Sequence, residues 1–209
     1  MHLRLILLFL ATACLMVSAV SGIELPGMFS SHAVLQRGVS VPVWGWGTPA
    51  EEVELRFAGQ TKRTAADAEG RWRLELSPLD PSAEGQVLVV KGSESGQVIV
   101  EDILVGEVWM ASGQSNMQWA LSATERARKD IPAANHPGIR MFLADLTTSA
   151  IPRRRVGGEW NVATPLSAGK FSAVGYYFAL KLHTELGVPV GIIESNWGGT
   201  PAEGWTKAE

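Results

Sequence analysis

Thiols are almost absent from this chain, with Cys14 the single cysteine in 209 residues. A disulfide framework is therefore excluded, and so is a thiolate metal cluster. Histidine is scarce at 4 residues, which narrows the choice of a general base. Positive charge is not in excess either: 18 Lys and Arg stand against 21 Asp and Glu, a formal net charge of -3. Such a chain offers no basic surface to neutralise a phosphate backbone, so nucleic acid is not expected as a partner. No internal repeat or low-complexity segment occurs. What is there, 46% hydrophobic and 19% charged residues with 22 Gly, 11 Pro and 8 Trp, is the composition of a globular protein rather than a disordered or collagen-like one.

Long apolar runs are also lacking. The most extended, Leu5 to Val20, follows Arg4, carries no charge and ends among small residues. It is shorter than the roughly 18 to 20 residues a membrane helix needs. The pattern is that of a secretory signal peptide over residues 1–21, which predicts a secreted or periplasmic protein without stable membrane insertion once the signal is cleaved. Lipid attachment at Cys14 fits poorly, because Ala11 does not suit such a site and the apolar run continues past the cysteine.

From Ile23 to about Ile103, apolar residues alternate with polar ones, as in Val39, Val41 and Val43, then Val53, Leu55 and Phe57, then Trp72, Leu74 and Leu76. Turn-forming stretches separate them at 47–50, 67–70, 78–81 and 92–96. Period two with frequent turns predicts a small antiparallel β-sandwich over residues 22–104. After Val105 strands alternate with segments of helical period. Strands are expected at Glu107 to Ala111, Ile139 to Ala144 and Val188 to Glu194. A helix over Lys170 to Leu186 carries Phe171, Val174, Phe178, Leu182 and Leu186 on one stripe, with Gly187 and Pro189 as the stop. This alternation predicts an α/β domain with a parallel sheet over 105–209. Three parallel strands make a small and exposed domain, so the expectation is that the chain is the front part of a longer protein.

Chemistry concentrates at two turns. Gly113-Gln114-Ser115-Asn116-Met117 follows a strand and precedes a helical start. A serine there projects its hydroxyl from the carboxyl edge of the sheet, beside free backbone N–H groups that can hold an oxyanion, and Gly113 permits the sharp turn. The same residue equally suits an N-cap, and the pattern is not the Gly-x-Ser-x-Gly elbow. Trp197-Gly198-Gly199-Thr200 follows another parallel strand and so can face the same crevice. Its glycines expose N–H groups, and Trp197 offers an apolar face for a sugar ring; a tight turn with a core tryptophan is the plainer alternative.

A serine nucleophile needs a base. His32 belongs to the β region, His136 precedes the amino end of a strand, and His183 lies on the flank of the 170–186 helix, where a solvated role is the default. None meets the need. Asp145 ends a strand on the correct edge and is read as a turn residue, and Arg153-Arg154-Arg155 as a solvated loop. Trp44 and Trp46, straddling Gly45, share one side of the β region, where core packing is favoured over carbohydrate stacking.

Taken together, Gly106-Glu107-Val108-Trp109 leading to Gly113–Met117, the segment Gly191–Pro201, Val43-Trp44-Gly45-Trp46 and Asp67–Trp72 resemble, in matching order, the sialate O-acetylesterases, secreted carbohydrate acetylesterases of the SGNH hydrolase superfamily. The resemblance implies a flavodoxin-like three-layer α/β/α hydrolase, incomplete here, behind the β region. It implies that Ser115 is the nucleophile and an oxyanion donor through its own N–H, and that Gly198 and Gly199 lie near the site. The substrate class implied is acetylated carbohydrate, with no cofactor or metal. The family's later Gln-Gly-Glu and Asp-x-x-His segments do not occur in these 209 residues, so the acid–base half of the machinery is expected downstream of residue 209. The alternative is a secreted carbohydrate-binding module without catalysis.

Overall fold

The computed structural model describes residues 22–206; the signal peptide expected over 1–21, with Cys14, lies outside the described residues. Strands β1 (Val34–Gln36), β2 (Val41–Trp46), β3 (Glu52–Phe57), β4 (Gln60–Ala65), β5 (Arg71–Leu76), β6 (Ser82–Gly92) and β7 (Gln97–Gly113) come first. The short helices α1 (Ser115–Gln118) and α2 (Ala127–Ala133) follow, then β8 (His136–Ala144), β9 (Gly158–Ala163), α3 (Ala173–Leu186) and β10 (Val190–Asn196).

The antiparallel part follows from alternation. Val53, Leu55 and Phe57 of β3 are buried while Glu52 and Arg56 are exposed. Ala58 and Gly59 both take positive φ, 46° and 72°, the two-residue mirror-image turn that matches the twist of a hairpin. The pair β2–β5 forms a separate two-stranded sheet whose buried Val41, Val43, Trp72, Leu74 and Leu76 share one core with β3, β6 and the front of β7. Each fully buried Leu or Phe here contributes about 1.5–3 kcal/mol.

The other strands form one mixed sheet in the order β4-β3-β6-β7-β10-β8-β9, with β1 parallel to β7. β7 runs antiparallel to β6 through its front and parallel to β10 from Glu107 to Gly113. The expected boundary at 104–105 therefore falls inside a continuous strand. Beyond Gly106 the edge of β7 away from β10 has no strand beside it among the described residues; there the Val108 N–H donates to Gln36 Oε1 at 2.8 Å.

Four readings are corrected. The segment after β7 is not a helix of useful length but the four residues of α1. β9 was not anticipated and pairs antiparallel with β8, so the sheet is not wholly parallel there. Val39 lies outside β2 and is exposed. Helix α3 buries Ala173, Gly175, Tyr176 and Ala179 rather than the expected stripe, leaving Val174, Phe178 and Leu186 exposed. Small residues win because they let the helix approach the sheet closely; a Cβ on Gly175 would sit 3.2 Å from Met141 Cε. α3 begins where the Ser172 hydroxyl accepts the Gly175 N–H at 3.0 Å and ends at Gly187 in the left-handed region. Among the described residues no helix is long and apolar enough to cross a membrane.

Candidate active site

β7, β10 and β8 run parallel, so Gly113, Asn196 and Ala144 end at one edge of the sheet. The two turns singled out in the sequence meet there. Asn196 is in register with Gly113, and the Trp197 N–H donates to the Gly113 carbonyl at 3.0 Å. Gly113 takes φ 142°, which releases the chain into the turn as its sequence position requires. A Cβ on Gly198 would lie 3.3 Å from Ser115 Oγ and 2.8 Å from Gln118 Oε1, so the glycine loop rests directly against the serine.

Ser115 is exposed and is the first residue of α1, not its cap. The cap is Gln114, whose Oε1 accepts both the Ser115 N–H at 3.0 Å and the Ser115 hydroxyl at 2.8 Å. Both Ser115 donors are thus satisfied by one side-chain oxygen, and a four-residue helix adds little dipole at this position. The Gly198 N–H is spent on Gln118 Oε1 at 2.7 Å. Gly199, at φ 78°, has an N–H without a hydrogen-bond partner among the described residues. Trp197 is half-buried, and its carbonyl accepts the Thr200 hydroxyl, which in turn takes the Trp205 indole N–H.

The sequence reading missed Glu194. This carboxylate is only 7% exposed and accepts the Ser172 N–H at 2.9 Å, tying β10 to the start of α3; Asn196 Nδ2 approaches its other oxygen at 3.4 Å. Burial pushes its pKa up to about 7, and these hydrogen bonds offset only part of that. With Gln118, Lys170 and Asn196 it lines a cleft of about 160 Å³ beside the serine turn. Its signal in the sequence was an acidic residue directly after the apolar pair Ile192 and Ile193.

The described histidines lie elsewhere. His32 Nδ1 contacts Asp102 Oδ2 at 2.6 Å, and Asp102 is bound in turn by the buried guanidinium of Arg140 at 2.8 Å. His136, at the amino end of β8, has its ring 6.3 Å from that of Tyr176 at a tilt of 48°, and burial with His183 nearby lowers its pKa. His183 is not simply solvated: its Nδ1 bonds the Val188 carbonyl at 2.7 Å and its ring fills the space over Gly138. Asp145 packs over Gly157, consistent with its turn role. No group of three or more potential metal ligands occurs among the described residues.

No family model matches the chain. It is 30% identical over 208 residues to the sialate O-acetylesterase of Mus musculus, covering 91% of this chain and 38% of that protein. The Rattus norvegicus sialate O-acetylesterase is 30% identical over 220 residues, covering 97% and 41%, and the Homo sapiens protein gives 30%, 91% and 40%. A solved carbohydrate acetylesterase from Xanthomonas citri superposes with TM-score 0.85 and 41% identity, covering 89% of this chain and 43% of that one. The chain thus spans about two fifths of the length of these relatives, and its mixed α/β architecture matches that of a carbohydrate acetylesterase.

Proposed function

For a chain homologous to the sialate O-acetylesterases over nearly its whole length, we propose that it carries the nucleophile half of a serine esterase that removes O-acetyl groups from sialic acid or other acetylated carbohydrates. Ser115 Oγ attacks the acetyl carbonyl, and its proton passes to a base. The carbonyl oxygen becomes an oxyanion at the Ser115 N–H, with Gly199 N–H as second donor. Collapse breaks the ester C–O bond, releases the sugar hydroxyl with a proton and leaves acetyl-Ser115, which water hydrolyses. The base belongs to an Asp-x-x-His segment outside these 209 residues, in an SGNH-type three-layer domain that this chain begins. Gln114 leaves Ser115 when the ester binds. Export rests on residues 1–21.

One observation carries this reading: the glycine loop is seated against Ser115, with Trp197 N–H on the Gly113 carbonyl at 3.0 Å. Intact-mass analysis after treatment with a serine-reactive fluorophosphonate tests it. The expected result is no labelling of the folded chain alone, and labelling of a longer polypeptide that contains the base, abolished by Ser115→Ala. A folded longer polypeptide that resists labelling at Ser115, or that hydrolyses acetylated sugars unchanged by Ser115→Ala, would sink the proposal. A carbohydrate-binding module without catalysis is the second reading, motivated by the aromatic groove described next.

A further inference from the structure

Two indoles and two arginines share the outer face of the β2–β5 pair. Register sets Trp44 opposite Arg73 and Trp46 opposite Arg71. Strand alternation turns these four away from the buried Val43 and Leu74. Between them Gly45 stands opposite Trp72, and a Cβ on it would lie 2.5 Å from that ring, so the buried Trp72 indole packs directly against the β2 backbone beneath this face. Arg154, from the β8–β9 loop, completes a groove of about 480 Å³.

The reading of Trp44 and Trp46 as core residues is therefore only partly right. Trp46 is buried, but beneath the Arg155 guanidinium, 4.3 Å from its ring centroid, with Glu24 holding Arg155 at 2.8 Å. Trp44 is half-buried, its ring set edge-to-face with Phe29 at 4.9 Å. The arginine run is likewise not simply a solvated loop, since two of its members sit over this face.

The chemistry of the groove is flat apolar surface edged by planar hydrogen-bonding cations. A pyranose presents the complement: an apolar C–H face for an indole, and equatorial polar groups around its rim. The cations are unequally committed. Arg71 is bound to Asp67 and Glu69, and Arg73 to Glu75. Arg154 has no carboxylate partner among the described residues, which favours a ligand bringing a carboxylate of its own.

We propose that this groove binds an acidic saccharide, the sugar ring against Trp44 and its carboxylate on Arg154. The site lies on the β2–β5 pair, apart from Ser115, and does not depend on the esterase reading. Titration of the ¹⁵N-labelled chain with methyl glucuronide, followed through the indole N–H resonances, tests it. Saturable shifts of the Trp44 and Trp46 indoles are expected. Methyl glucoside, which lacks the carboxylate, should bind at least about tenfold more weakly, a loss of about 1.4 kcal/mol. Arg154→Glu, in an exposed loop where folding is not at stake, should weaken the glucuronide by a similar factor, while Ser115→Ala leaves it unchanged. Absence of saturable shifts would overturn the proposal. So would equal binding of the glucoside, an equal response to acetate, or full affinity in Arg154→Glu.

Discussion

Two buried glutamates, one in each part of the molecule, have opposite fates. Glu51, in the antiparallel part, is desolvated by burial, yet the Ser95 hydroxyl and the N–H groups of Glu94, Thr48 and Ser95 outweigh that and hold its pKa below the ordinary value. Glu194, at the carboxyl edge of the parallel strands, has one backbone N–H and a long contact to Asn196, and burial wins. The contrast extends to the surroundings. The antiparallel part closes its core and surrounds Glu51 with four donors, while Trp72 Nε1 is buried there without a partner among the described residues. The parallel part leaves Met110 67% exposed, Trp109 and Phe178 in edge-to-face contact at the surface, and one edge of β7 past Gly106 without a neighbouring strand among the described residues. The number and quality of hydrogen-bond donors, rather than burial itself, set the direction in which each carboxylate is shifted.

That contrast can be broken at Glu51 first. Glu51→Ala strands four donors and should cost about 3 kcal/mol or more in urea unfolding at neutral pH. The cost should shrink as pH falls, because a carboxylate with a depressed pKa contributes stability above its unfolded value that disappears on protonation. Glu194→Gln should act in the opposite sense. The folded pKa is raised, so the native state binds the proton more tightly, and wild-type stability falls as pH rises from about 4.5 to about 7. The variant, neutral throughout, should match wild type near pH 4 and exceed it by up to about 3 kcal/mol at pH 8, read from paired urea curves. Equal curves at both pH values would mean the carboxylate is stably charged in the fold. Ser172→Ala removes the cap of α3 and should cost about 1 kcal/mol. Phe178→Ser, on the exposed face, should change stability by less than about 1 kcal/mol, the size of its edge contact with Trp109.

Much of this was legible because it rests on local rules. Alternation located β2, β3 and β5, and the Gly187 stop located the end of α3. The meeting of Gly113–Met117 with Trp197–Thr200 followed from both turns lying after parallel strands. What escaped depends on contacts distant in sequence. The buried face of α3 is chosen by the sheet beneath it, which takes Gly175 and Ala179 in preference to the larger Phe178. β9, with Trp160 and Val162 in alternation but a long loop before it, shows its pairing with β8 only in space. Glu194 entered the sequence reading only as the end of a strand, and its role emerges from Ser172, 22 residues away, whose N–H it accepts. Arg155 looked solvated until Glu24 and Trp46 closed around it.

β7 gives the molecule a spine rather than a joint. Seventeen residues run from the antiparallel layer into the parallel one, hydrogen-bonded to neighbouring strands on both sides of the expected 104–105 boundary. Rigid-body swinging of one part on the other would have to shear that strand from β6 or from β10. A single cooperative transition in a calorimetric scan is therefore the expected outcome, and a cut at 104–105 would sever the β7 ladder.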